Sequence, residues 1–134
     1  MFGNPNTMHK TYVYDDIMVE LDKFYINQIK IAKSYGLKDS QLIIDPGLGF
    51  GKKAEDNLII IQKLSFLKKF DLPIVIGLSR KSFLGKESPD KKLIKTIVAN
   101  TIALVNGANI IRVHDIHEHI ELKNILKSIG DGFT

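Results

Sequence analysis

Ile74-Val75-Ile76-Gly77-Leu78-Ser79-Arg80-Lys81-Ser82 runs from a β-branched apolar stretch straight into a loop of hydroxyls and cations. A short continuous apolar run bounded by turn residues is the pattern of a strand buried on both faces. The same pattern occurs upstream in Leu42-Ile43-Ile44, ending at Asp45. It occurs again downstream in Asn109-Ile110-Ile111-Arg112-Val113, ending at His114. Helical patterns separate the three runs, so strands and helices alternate. Such alternation predicts a parallel sheet with right-handed crossovers.

The helices are readable from their periodicity and ends. Asp15 is the expected cap of a first helix with Ile17, Leu21, Phe24 and Ala32 on one face, closed by Tyr35-Gly36. A second helix is expected from about Asp56 to Lys69, with Leu58, Ile61 and Leu64 inward and Pro73 barring continuation. A third starts with Ser88 as cap and Pro89 at its first position. Its inward stripe reads Ile94, Ile97, Val98, Thr101 and Val105, and Asn106-Gly107 ends it. A fourth runs from about Ile116 to Ile129 and carries Ile120, Leu122, Ile125, Leu126 and Ile129.

The expected order is therefore α-βα-βα-βα. The chain has 134 residues, and a closed (β/α)₈ barrel takes about 250, so the length suits half of one. The alternative is a small open doubly wound sheet, whose edges would need cover. Hydrophobic residues make up 44% and charged residues 25%, as in ordinary globular domains. The apolar runs fall well short of the roughly 20 residues that cross a bilayer, so no membrane association is expected. With no cysteine, disulfides and thiolate metal sites are excluded. Met1 to Pro5 has no basic segment leading into an apolar one, so no secretory signal is read and the expected location is cytoplasmic. The net charge is +4, but the lysines are spread along the helices rather than gathered in a stripe. Nucleic acid is therefore not an expected partner. A mild positive bias suits a small anionic substrate.

In parallel β/α folds, ligands bind at the C-terminal ends of the strands, and three unusual groups fall there. The first is Asp45-Pro46-Gly47-Leu48-Gly49-Phe50-Gly51-Lys52. An aspartate ending a buried strand is costly without a partner such as an N–H-rich ligand. The glycines admit positive φ and close backbone approach. The stretch is not a P-loop, since its spacing is one residue short and Lys53 stands in place of Ser or Thr. Its G-x-G-x-G spacing is not a dinucleotide fingerprint either. The plainer reading is a glycine-rich turn with a capping aspartate.

The second group, Gly77 to Gly85, sets Arg80 and Lys81 between Ser79 and Ser82. It suits an anionic or electron-rich ligand, or else a solvated loop. The third is Arg112-Val113-His114-Asp115. Residues two apart in a strand face the same side, so Arg112 and His114 point together and can clamp a phosphate group. A structural histidine is the alternative. His114, His117 and His119 raise the question of a metal, but His117 and His119 enter a helix two apart and do not share a face. No protein-ligated transition metal is expected. Three such groups at successive strand ends read together as an active site.

With Gly3-Asn4-Pro5-Asn6-Thr7-Met8, Asp45 to Lys52, Ser79-Arg80-Lys81-Ser82 and Arg112-Val113-His114-Asp115 in that order, the chain resembles the C-terminal half of the dihydropteroate synthase family of pterin-binding enzymes. The resemblance implies half of a (β/α)₈ TIM barrel, with residues 1–134 forming one partial domain of about strands six to eight. It implies a transferase of folate biosynthesis that joins 6-hydroxymethyl-7,8-dihydropterin pyrophosphate to 4-aminobenzoate, giving 7,8-dihydropteroate and pyrophosphate. Asp45 would hydrogen-bond the pterin, and Lys81 would contact the pterin and help bind aminobenzoate beside Phe50 and Ser82. Gly77 would line the substrate site, while Arg112 would stack on the pterin and, with His114, hold the departing pyrophosphate. Mg²⁺ is implied as cofactor, with its family ligand in the N-terminal half and none among these residues.

The family's earlier strands have no counterpart in this chain, nor do the loops that enclose aminobenzoate. The expectation is a fragment, a truncated form or one piece of a split enzyme. It would need its N-terminal half, self-associate as a homo-oligomer or swap elements with a second copy, and be inactive alone. Two rival readings are kept: a methyltetrahydrofolate-type methyltransferase barrel, and a non-catalytic fragment that binds only pterin or a partner.

Overall fold

The computed structural model describes residues 13–86 and 88–130. The motif Gly3 to Met8 lies outside the described residues. The elements are α1 (Ile17–Ser34), α2 (Ala54–Gln62), β1 (Val75–Ile76), α3 (Pro89–Val105), β2 (Ile110–Ile111) and α4 (Ile116–Ile129). Short 3₁₀ segments cover Asp39–Gln41, Leu64–Phe70 and Ser82–Leu84. Among the described residues no helix is long and apolar enough to cross a membrane.

The three apolar runs do lie side by side and parallel. Val75 pairs with Ile110 and Ile76 with Ile111, while Ile44 bridges Ile74 on the other side of β1. The first run is thus a single bridge rather than a strand, and the other two are shorter than their apolar stretches. Single bonds extend the ladder: Ile44 N–H donates to Pro73 C=O at 2.8 Å and Arg112 N–H to Ile76 C=O at 2.8 Å. Burial on both faces is only partial in the central run, where Ile74, Ile76 and Leu78 on one face are fully buried and Val75 and Gly77 on the other are half-buried. It fails for the flanking ones, where Ile43 and Ile110 are exposed. Each flanking run has a neighbour on one side only among the described residues, so its other side meets solvent.

α1 starts at Asp16, not Asp15. The Asp16 carboxylate accepts from Met18 N–H at 2.8 Å and Val19 N–H at 3.3 Å, satisfying two amides that have no partner within the helix. Its buried face is Ile17, Met18, Leu21 and Tyr25, packed with Ile60, Ile61, Leu64 and Leu67 and with the strand isoleucines in one apolar cluster. Tyr35 and Gly36 (φ 85°) end the helix as expected.

α2 and the turn after it bury Ile61 and Leu64 as expected, but not Leu58. Its inward residues are Asn57, Ile60 and Ile61, followed by Leu64, and Leu58 is exposed. The helix stops at Gln62, where the Asn106 side chain donates to the carbonyls of Ile61 (2.9 Å) and Gln62 (3.2 Å). The chain beyond continues as a 3₁₀ segment.

α3 is rotated away from its expected face. Thr96, Ala99, Asn100 and Ala103 are buried, while Ile94, Val98 and Val105 of the expected inward stripe are exposed. Ser88 precedes Pro89 as expected but makes no side-chain capping bond. On α4, Leu122 and Leu126 are buried with His119, whereas Ile120, Ile125 and Ile129 face outward.

Candidate active site

Three loops leave the C-terminal ends of the parallel runs and meet on one side of the molecule. The first, from Asp45 to Lys52, is built from hydrogen bonds. Asp45 Oδ1 accepts from Gly47 N–H at 2.8 Å, closing an Asx turn. Gly47, Gly49 and Gly51 have φ of 63°, 81° and 63°, a region that residues bearing a Cβ rarely adopt. Lys52 Nζ donates to the carbonyls of Gly47 (2.9 Å) and Phe50 (3.2 Å), and burial holds its ammonium below the ordinary lysine pKa. Asn57 ties the loop to α2: its Oδ1 accepts from Gly49 N–H at 2.7 Å and its Nδ2 donates to Lys53 C=O at 2.6 Å. That buried amide sets the rotation of α2, which explains why Leu58 points out.

Asp45 itself is exposed, not buried as its position after an apolar run suggested.

The second loop brings Lys81 against the first. Its ammonium lies 4.0 Å from the centroid of the Phe50 ring, a cation–π distance. A Cβ on Gly49 would sit 3.0 Å from Lys81 Cδ, so the bare glycine leaves room for the lysine stem. Burial lowers the Lys81 pKa, the nearby Arg112 guanidinium lowers it further, and Asp45 acts in the opposite sense. These three charges and Phe50 therefore share one patch. Ser82 opens the Ser82–Leu84 turn and is exposed.

Arg80, beside them, is already paired. With φ of 58°, it turns its guanidinium to Asp115, with a bond from Nε to Oδ2 at 3.3 Å and a second, shorter contact from Nη2 to Oδ1. The Arg80 partner holds the Asp115 carboxyl below its ordinary value. Arg80 N–H donates to Thr96 Oγ1 at 3.2 Å, and that hydroxyl donates to Lys92 C=O at 2.8 Å. Arg80 is thus a loop anchor that also lines the cleft formed with the third loop.

The third loop carries Arg112 and His114, which face the same cleft as Gly77, Ser79, Arg80 and Lys81, as their spacing predicted. The cleft measures about 500 Å³. Arg112 lies over Gly77 so closely that a Cβ there would come within 2.8 Å of Nη2. Gly77 is thus a seat for the guanidinium. His114 is fixed by Ser79: its backbone N–H donates to Ser79 Oγ at 3.3 Å, and Nδ1 is 2.8 Å from the same oxygen. The Ser79 hydroxyl can donate to Nδ1 or accept from it, according to the ring tautomer. When the hydroxyl donates to Nδ1, the ring proton sits on Nε2.

The cleft can therefore hold an anion between Arg112, Lys81 and His114, with Asp45 and Phe50 beside it. Among the described residues no three His, Asp or Glu side chains gather as a metal site. A hard cation such as Mg²⁺ needs oxygen ligands, and this cationic patch does not fit one.

Asn57, Thr96, Asn100 and the pairing of Ser79 with His114 have no place in the sequence reading. A polar residue four positions from another on a helix, opposite an apolar stripe, is the one signal that Thr96 and Asn100 gave.

The pterin binding enzyme family model matches residues 1–114 of this chain. The dihydropteroate synthase of Escherichia coli strain K12 is 36% identical over 131 residues, covering 96% of this chain and 46% of that protein. A crystal structure of dihydropteroate synthase from Stenotrophomonas maltophilia superposes with a TM-score of 0.92 at 30% identity, over 96% of this chain and 50% of that one. The Yersinia pestis enzyme, solved as a sulfonamide drug complex, gives 0.90 at 36% identity, over 96% of this chain and 48% of that one. The chain spans about half the length of the relatives it matches. On this match and this geometry, the chain belongs to the pterin binding enzyme family.

Proposed function

We propose that this chain is the C-terminal half of a (β/α)₈ barrel that acts as a dihydropteroate synthase. The observation that carries this reading is the meeting of Lys81, Phe50, Arg112 and His114 at parallel strand ends. Its support is the similarity to dihydropteroate synthases along 96% of the chain, a similarity that also favours this reading over the methyltransferase one.

In the proposed reaction the bond from the pterin methylene carbon to the pyrophosphate oxygen breaks, and its electron pair leaves with pyrophosphate. The nitrogen of 4-aminobenzoate then bonds to that carbon and sheds a proton. Arg112 and the His114 imidazole stabilise the departing anion. Asp45 hydrogen-bonds the pterin and offsets the positive charge that develops on it. Lys81, its stem against Gly49, spans the pterin and aminobenzoate positions, and Phe50 and Ser82 border the latter. Gly77 seats Arg112. Any Mg²⁺ would be held outside these residues, and no step here depends on it.

Two partners complete the proposal. The N-terminal half of the barrel would cover the hollow between β2 and α4, lined by Ile110, Ile116 and Ile120. A second copy would cover the apolar groove between α2 and α3, lined by Leu58, Ile94, Val98 and Ile102.

The test is calorimetric titration with 6-hydroxymethyl-7,8-dihydropterin pyrophosphate, first on this chain and then with the N-terminal half supplied. Aminobenzoate-dependent pyrophosphate release is measured on the reconstituted pair. Binding lost in Lys81→Ala and Arg112→Ala supports the reading. A reconstituted barrel that neither binds nor releases pyrophosphate overturns it.

A further inference from the structure

We propose that His119, held as the Nδ1–H tautomer between Asn100 and the backbone of Asp115, is a positioning residue for the loops that carry His114 and Lys81. What those loops bind rests on the reading above; the positioning itself does not.

His119 lies on α4 and is 5% exposed, and Asn100 on α3 is fully buried. His119 Nδ1 is 2.6 Å from the Asp115 carbonyl. A carbonyl only accepts, so Nδ1 carries the proton, and in the neutral ring Nε2 keeps a lone pair. That lone pair accepts from Asn100 Nδ2 at 2.9 Å. The amide orientation this requires leaves Asn100 Oδ1 buried without a partner. An unmet buried acceptor is unfavourable, and an apolar pair would fill the space without it. A polar pair in such a place specifies one arrangement of what it touches.

What it touches is the turn between β2 and α4. With the Asp115 carbonyl fixed, its carboxylate takes the Arg80 guanidinium, and His114 just before it meets Ser79. Arg80 is adjacent to Lys81, and its N–H is held by Thr96, four residues before Asn100 on α3. One helix therefore grips both loops: Thr96 holds the Lys81 loop directly, and Asn100 holds the His114 loop through His119. The polar inward face of α3 has this as its reason.

The first measurement is nitrogen NMR of the His119 ring in the full chain near neutral pH. A ring protonated on Nδ1 alone is expected; protonation on Nε2 alone, or on both, overturns the proposal. The second compares His119→Asn, whose amide nitrogen can stand where Nδ1 stands, with His119→Phe, which keeps a ring but drops both bonds. Amide exchange is read at Arg80, Lys81 and His114, all hydrogen-bonded in the native loops. His119→Phe should speed exchange there roughly tenfold, the order of one lost hydrogen bond, and leave α1 unchanged. His119→Asn should restore the wild-type rates. Unchanged loops in the Phe variant, or an Asn variant that behaves like it, overturn the positioning role. If His119→Phe does not fold, Asn100→Ala replaces it: a mixture of ring tautomers is expected, and a retained pure Nδ1–H form overturns the role of Asn100. None of these readouts needs a ligand. A chain that binds no pterin pyrophosphate would therefore sink the function above without touching this inference.

Discussion

α1 and α3 are close in length, and each covers the sheet, yet they bury opposite kinds of surface. α1 turns Ile17, Met18, Leu21 and Tyr25 inward. α3 turns Thr96, Ala99, Asn100 and Ala103 inward and leaves Ile94, Val98, Ile102 and Val105 between 46% and 63% exposed. α1 contributes apolar area and α3 contributes grip. The alanines of α3 let it lie close to its neighbours, and its two polar residues reach the loops. Helix α2 lies between these extremes, with Asn57 reaching the first loop from among Ile60 and Ile61.

The largest effect that separates the two helices is on stability. Leu21→Ala on α1 should cost about 2–5 kcal/mol, the range for a leucine truncated in a packed core, measured by denaturant unfolding. If Ile94→Ala on α3 cost as much in dilute solution, the contrast would be broken. Next comes the grip. Thr96→Val keeps the shape but removes the acceptor of Arg80 N–H, and should cost about 1 kcal/mol. Its characteristic mark is faster amide exchange at Arg80 and Lys81 with α1 unaffected. Uniform loosening of the whole domain would argue that Thr96 is ordinary packing.

The contrast also explains what the sequence could reveal. The alternation of elements was legible because β-branched runs and 3.6-residue periodicity are local signals. So was the gathering of Arg112, His114 and Lys81, since strand-end placement follows from the element order. Helix orientation was not legible for α3. Its periodicity marks an apolar stripe, and a stripe is usually inward, but here Thr96 binds a loop amide and Asn100 the buried His119 ring of α4, and these override it. Asp45 was misread as buried for a related reason. Its apolar run implied neighbours on both sides, whereas among the described residues Ile44 has only Ile74 as a strand partner. Arg80 and Lys81 look alike in sequence, and only Asp115, 35 residues on, separates an anchor from a site cation.

Charge offers two finer tests of the same division between site and anchor. Lys81 has a pKa below the ordinary 10.5 because of burial and Arg112. A lysine is charged only below its pKa, so anion affinity should fall on the alkaline side at a lower pH than an ordinary lysine allows. Lys81→Arg should remove that decline, because a guanidinium stays charged. An affinity that falls identically in both would place the titration elsewhere. The anchor has the opposite sign. The Asp115 pKa is depressed by Arg80 below its ordinary 3.8, so the pair's contribution is complete above that value and is lost as pH falls through the folded-state pKa. Acid unfolding of the wild type should thus lie at lower pH than that of Asp115→Asn. Coincident acid transitions would leave the pair without a stabilising role.

The smallest effect on the isolated fold, and the most informative about α3, is expected at its outward stripe. Ile94 is 63% exposed, so Ile94→Ser should change the stability of a dilute monomer by less than about 0.5 kcal/mol, as exposed positions do. If a second copy covers this face, the same substitution should weaken association measured by sedimentation, because apolar area removed from water drives assembly. The two readouts together separate a face that only looks like a core from one that becomes a core on assembly. Loss of association without loss of monomer stability would mean that α3 has two functional sides: a polar one turned to the loops and an apolar one turned to another chain.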